Sequence, residues 1–175
     1  MIQSITVDTG VWIELLDKKS PEKSAIDAEL LEECQARRVQ VWASSRVLNP
    51  DSTKMRELQR VNLTNLLEEH AQTAPSQFRF DISPFGGPDG FQGRVGERFI
   101  SVVGESPDGR GQFGKKLHNH IGDYDALRDH FIQRRDLFVT WDNRGFLHTD
   151  RRQAYEEQLK LRVRSPEEAI ETMRG

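Results

Sequence analysis

A chain of 175 residues suits one domain around a single core, and its 35 % hydrophobic content includes no run long enough to cross a membrane as a helix. The formal net charge of −3 gives no overall attraction to nucleic acid, so any such site has to be a local basic patch. One cysteine allows neither an internal disulfide nor a thiolate metal cage.

Ser4-Ile5-Thr6-Val7 reads as a first buried strand that ends on the carboxylate of Asp8. An acid there either caps the next helix or stands where α/β folds place ligand groups, past the C-terminal end of a strand. Thr9-Gly10 turns the chain, and Val11, Trp12, Leu15 and Leu16 begin a helix. Because the chain enters a strand at once, no secretory signal is expected, and a reducing cytoplasm is the expected location. Ser20-Pro21-Glu22 opens a second helix with a cap, a proline at the first position and an acid behind it. Ile26, Leu30, Leu31 and Cys34 carry its buried stripe, which makes Cys34 a core residue rather than a nucleophile. Val39 to Ser45 reads as the second strand. Asn49-Pro50-Asp51 is another helix start, and that helix runs through Met55, Leu58, Asn62, Leu66 and Leu67 toward His70.

Phe78 to Ile82 alternates as a strand would. From Ser83 to Gly114 the chain changes character, with nine of the thirteen glycines and Pro84, Pro88 and Pro107. Only Phe99-Ile100-Ser101-Val102-Val103 looks regular inside it, in the manner of a hairpin. We read 78–118 as an insertion outside the core of a single domain spanning 1–175. Beyond it, Gly122 and Asp123 mark a helix start, and Leu127, Phe131 and Ile132 form its apolar face. Leu137-Phe138-Val139-Thr140 is a short β-prone run with Asp142 just behind it. Arg151 to Leu161 reads as a helix and Leu161 to Arg164 as a short strand. Ser165-Pro166-Glu167-Glu168 then opens a last helix ending near Met173. This alternation predicts an α/β fold with a mainly parallel central sheet flanked by helices.

Several chemical patterns compete. Gly109-Arg110-Gly111-Gln112-Phe113-Gly114 has the letters of a dinucleotide-binding fingerprint without the strand–helix context that such a loop needs. Arg110, Lys115 and Lys116 read as a solvated loop or as a local basic patch near a phosphate backbone. His118 and His120 lack a third nitrogen ligand for zinc. His130 reads as a partly buried helical histidine or as a proton shuttle. Asp129, four residues after Asp125, is solvated unless a cation draws the two like charges together. Ile5-Thr6-Val7-Asp8 also resembles the start of the haloacid dehalogenase fold, but Gly10 stands where that fold needs its second acid.

The acids form the most informative set. Asp8 ends the first strand, Asp51 opens the helix after the second, Asp123 or Asp125 opens the helix before Leu137, and Asp142 follows Thr140. In a parallel sheet all of these fall at one end of the domain. Carboxylates converging there require a cation, and an all-oxygen set suits Mg²⁺ or Mn²⁺. Such ions activate water and hold a phosphodiester for in-line attack.

With these residues in view, the chain resembles the PIN-domain nucleases. The resemblance rests on Ile5-Thr6-Val7-Asp8-Thr9 with Trp12 behind it, and on Asp125-Ala126-Leu127 spaced ahead of Asp136-Leu137-Phe138-Val139-Thr140-Trp141-Asp142. The ending Val163-Arg164-Ser165-Pro166-Glu167-Glu168 is similar as well, whereas Phe78 to His118 is not covered. The resemblance implies a three-layer PIN-like fold and a Mg²⁺- or Mn²⁺-dependent ribonuclease. It assigns metal-binding positions to Asp8, Asp125 and Asp142 and a supporting hydroxyl to Thr140. The second acid of the family falls on Asp51, with Asn49 as the near alternative, and Asp123 is expected to cap its helix or to replace Asp125 as ligand. RNA is the implied partner, with cations of the insert gripping its backbone. Many family members form homodimers, and some are toxins that pair with an antitoxin protein. The alternative is a PIN-like domain that has lost catalysis and acts as a nucleic-acid- or protein-binding module. Metal binding through Asp8 and Asp142 separates the two.

Overall fold

The computed structural model describes residues 2–43, 47, 57–73, 101–103 and 125–175. Asp51, Asp123, the expected helix start at Asn49, the Phe78–Ile82 strand, the glycine fingerprint and its lysines, and His118 and His120 lie outside the described residues, as does most of the 78–118 insertion.

The first strand, β1, is Ser4–Val7, and α1 follows as Thr9–Asp17. Thr9 and Gly10 are therefore inside the helix rather than a turn before it, because Asp8 caps it: its Oδ1 accepts the Thr9 N–H at 2.8 Å. The Trp12 indole N–H donates to the Val7 carbonyl at 3.1 Å and ties α1 back to its strand. Helix α2, Pro21–Arg37, is capped by the Ser20 hydroxyl, which accepts the Lys23 N–H at 3.4 Å. Lys18 and Arg38 end α1 and α2 in the left-handed region, which allows their N–H groups to reach the last-turn carbonyls. Strand β2 is Gln40–Ala43, within the expected Val39–Ser45, of which Ser44 and Ser45 lie outside the described residues. Helix α3, Glu57–His70, leads into a two-residue strand β3, Gln72–Thr73. Residues 125–132 form helix α4, and Leu137–Val139 is β4. Helix α5, Thr149–Ala154, continues as a π-turn over Tyr155–Leu159 and reaches β5, Val163–Arg164. The last helix, α6, is Pro166–Arg174, and a full capping box between Ser165 and Glu168 fixes its start.

The five strands lie in the order β3-β2-β1-β4-β5, and every pair is parallel. Alternation along the strands builds two different faces. Ile5, Val7, Val41, Ala43, Leu137 and Val139 point to one face and pack against α1, α2, α3 and α6 through Trp12, Leu30, Leu63 and Ile170. On the other face, Phe138 and Val163 pack with Leu127 of α4 and with Phe146, Tyr155 and Leu159. Helices thus cover both faces of a parallel sheet, giving the three-layer α/β architecture that the alternating pattern predicts.

Two expectations need correction. Residues 101–103 are helical rather than part of a hairpin, and Val102 and Val103 pack against the second-face core. That piece of the insertion therefore contributes to the core, since two adjacent β-branched side chains bury apolar area there whatever the composition around them. Asp129 is buried, not solvated. Its helix is enclosed over the whole of 125–130, so the side opposite Leu127 faces protein as well. Cys34 is core, as expected, and burial pushes its thiol up to about 12.

Candidate functional site

The chain builds the sheet outward from β1 in two directions, first to β2 and β3, then to β4 and β5. The strand order therefore reverses between β1 and β4, and beyond the C-terminal ends of those two strands the connections diverge and leave a crevice. Asp8 follows β1 and Thr140 follows β4, so both stand at this point.

They are in direct contact. The Thr140 hydroxyl donates to Asp8 Oδ2 at 2.7 Å and accepts the Asp142 N–H at 3.1 Å. The Asp8 N–H donates to the Val139 carbonyl at 2.9 Å, which extends the β1–β4 ladder to the site. Thr140 is fully buried, and its backbone N–H is held by the Arg164 carbonyl at 3.1 Å. One buried hydroxyl thus joins two of the acids singled out in the sequence. Asp8 combines both roles weighed for it, since it caps α1 through Oδ1 and receives Thr140 through Oδ2.

Asp142 is half-buried, and its carboxylate accepts three backbone N–H groups: Arg144 at 3.2 Å and Gly145 at 2.9 Å on Oδ1, and Phe146 at 3.3 Å on Oδ2. This wraps the chain around the carboxylate and demands glycine at 145. A Cβ there would stand 1.9 Å from Asp142 Oδ2. The wrapped turn then places Phe146 against Phe138, ring centroids 5.0 Å apart, so the turn is anchored in the second-face core.

Asp125 is buried at the first described position of α4. That helix descends toward the start of β4, and the ring of His130 meets Thr6 in the middle of β1. Asp125 is five residues above His130, about 7.5 Å along the helix, and Asp8 is two residues above Thr6, about 6.6 Å along the strand. Among the described residues, however, no group of three or more His, Cys, Asp or Glu side chains is gathered closely enough to hold a metal ion. The available donors are carboxylate and hydroxyl oxygens, the type that suits Mg²⁺ or Mn²⁺, and a carboxylate has about four lone-pair sites, of which Asp142 uses three on backbone amides. The donor chemistry fits the ion, while the complete cluster is not assembled by the described residues alone.

Two buried polar groups have partners that the sequence reading did not foresee. On the second face, Thr6 Oγ1 accepts from Arg135 Nη1 at 3.1 Å and lies 2.9 Å from His130 Nδ1. The Arg135 guanidinium also stacks 4.3 Å from the Trp42 ring, and the Asp129 charge acts on it. Burial, with the Arg135 cation beside it, pushes His130 down to about 3, so the ring is neutral at ordinary pH and is no proton shuttle. On the first face, Asp27 of α2 is fully buried, and the Trp141 indole N–H donates to its two carboxylate oxygens at 2.9 and 3.1 Å. Burial, opposed by this hydrogen bond and reinforced by the charges of Glu14 and Glu167, pushes Asp27 up to about 7. The only signal in the sequence was an acid on the apolar stripe of α2, one residue after Ile26 and three before Leu30.

No protein-family model matches the sequence, and no curated protein matches it.

Proposed function

We propose that the chain is a Mg²⁺- or Mn²⁺-dependent ribonuclease of PIN type, with its site beyond β1 and β4. The observation that carries this reading is the Asp8–Thr140–Asp142 chain of hydrogen bonds at the point where the strand order reverses. A structural cap needs no such pairing, because Thr9 already satisfies one oxygen of Asp8 and the turn amides already satisfy Asp142.

In this reading a bound divalent ion supplies a Lewis acid and an acidic water at neutral pH. Asp8 and Asp142 would hold it through their remaining lone pairs, and Asp125 and Asp51 would complete the oxygen set, with Asp123 the alternative to Asp125. Thr140 orients Asp8, and its own orientation is set by the Asp142 N–H. The wrapped turn keeps Asp142 from swinging into solvent. Acids held in place in this way would fix the cation, and the cation would offset the negative charge that develops on a phosphodiester.

The test is a calorimetric Mn²⁺ titration of the wild type, Asp8→Asn and Asp142→Asn, run beside cleavage of an end-labelled RNA in Mn²⁺ and in chelator. The expected result is binding and metal-dependent cleavage in the wild type, both lost in the variants. A wild type that neither binds Mn²⁺ at millimolar concentration nor cleaves RNA overturns the reading. The alternative is a PIN-like module that has lost catalysis and binds nucleic acid or protein. RNA retention with no metal-dependent cleavage would select it.

A further inference from the structure

We propose that Asp27 is a positioning residue for the Asp8–Thr140–Asp142 cluster, acting through the Trp141 indole. This rests on the function proposed above for that cluster, but the contact itself stands apart from it.

Trp141 is the residue between the two site members, Thr140 and Asp142. Its side chain leaves the site and runs to α2, where the indole N–H is shared between the two oxygens of Asp27. On the ring itself, Lys23 Nζ lies 4.7 Å from the centroid. The indole is therefore fixed at its edge by a carboxylate and on its face by a cation, both from one helix. A tryptophan has two side-chain torsions, so fixing the ring fixes the backbone that bears it to within little freedom. That backbone is the one whose Thr140 hydroxyl must meet Asp8 Oδ2 and whose Asp142 N–H must meet Thr140.

A fully buried carboxylate is costly, and the charges of Glu14 of α1, Lys23 of its own helix and Glu167 of α6 act on Asp27 beside its contact with Trp141. An apolar residue would pack the same space without that cost. What a carboxylate adds is an acceptor that holds one N–H in one place. Groups that orient the residues directly holding a metal characteristically change its affinity when removed, although they never touch it.

The experiment compares Asp27→Ala, Asp27→Asn and Trp141→Phe in the full chain, after thermal melts establish which are folded. Mn²⁺ affinity is measured by calorimetry, amide exchange by NMR at Thr140, Asp142, Gly145 and Phe146, and tryptophan emission by fluorescence. Asp27→Ala and Trp141→Phe should bind Mn²⁺ about tenfold more weakly. Exchange at the four amides should rise in both, and in Asp27→Ala the Trp141 emission should shift. Asp27→Asn keeps an oxygen for the indole and should recover most of the affinity and the protection. Unchanged amide exchange in a folded Asp27→Ala protein overturns the proposal, as does an Asp27→Asn variant no better than Asp27→Ala. If the wild type binds no Mn²⁺, the metal reading fails, and the amide exchange alone decides whether Asp27 positions this segment.

Discussion

Gly145→Ala probes the wrapped turn at its tightest point. The added Cβ would stand 1.9 Å from Oδ2 and 2.9 Å from Cγ of Asp142, far inside contact distance. The backbone at 145 is not left-handed, so the substitution carries no torsional strain of its own. Relief has to come from the Asp142 side chain turning away, which breaks at least two of its three amide bonds, those from Gly145 and Phe146. A hydrogen bond to a charged group contributes about 1.5 kcal/mol at the low end, suitable for a half-buried carboxylate. Two such bonds cost about 3 kcal/mol, against which the loss of glycine freedom in the unfolded chain returns about 0.7 kcal/mol. The net loss of about 2 kcal/mol lowers Tm by about 4–8 °C in a chain of this size. Urea denaturation in chelator, followed by tryptophan fluorescence, measures it. Gly10→Ala is the control, because its new Cβ would be 3.9 Å from Asp8 Oδ2, an ordinary contact, and it falls inside α1. It should stabilise by about 0.5 kcal/mol. Equal effects at the two positions would refute the account of the turn.

Asp27→Asn should flatten the pH dependence of stability. The folded value of about 7 lies above the ordinary 3.8, so the folded state binds the proton more tightly. Stability from this group is intact below pH 3.8 and is lost as pH rises through 7, up to about 4 kcal/mol; melts from pH 4 to pH 8 that run parallel in wild type and variant would contradict this. His130 acts in the opposite direction at lower pH, since its folded value of about 3 is depressed and the ring has to gain a proton on unfolding. Stability from His130 is present above about pH 6.5 and falls as pH drops toward 3, and His130→Gln should lessen that fall in acid titrations followed by circular dichroism. Thr140→Val should abolish Mn²⁺-dependent cleavage and release Asp8, whereas Thr140→Ser should retain most of the rate, as kinetics on one RNA substrate would show. Asp142→Asn should lower Tm in chelator, because an amide offers one acceptor oxygen to the turn where the carboxylate offers two.

The main strands follow from local signals, the apolar run Leu137-Phe138-Val139 among them, Ser20-Pro21 and Ser165-Pro166 announce their helices, and the alternation of strands with helices predicts the parallel sheet. Strand β3 was not legible, because Gln72 and Thr73 are too few and too polar to show a period and pair only because β2 offers a free edge. The nearness of Asp8 and Asp142 could be anticipated from strand ends in a parallel sheet, but the hydroxyl between them comes from tertiary geometry. Asp129 and Asp27 were misjudged or passed over for a common reason. Polarity in a sequence suggests exposure, and only the packed structure shows that the Trp141 indole makes the burial of Asp27 tolerable and that the Asp129 charge acts on Arg135.

The polar row on the second face has a consequence for how the chain avoids mispairing. Thr6 stands opposite Trp42 on one side and Phe138 on the other, and it is the meeting point of His130 and Arg135. Were β1 to slide by one residue, Ile5 or Val7 would be presented to an imidazole and a guanidinium with no hydroxyl to receive them, and Thr6 would enter an aliphatic layer. Hydrophobic patterning alone distinguishes such arrangements by area, whereas buried polar groups that lose their hydrogen-bond partner add a further cost. The triad of Thr6, His130 and Arg135 thus acts as a proofreading contact for the central strand, and by fixing where β1 stops it also fixes the height at which Asp8 emerges from the sheet.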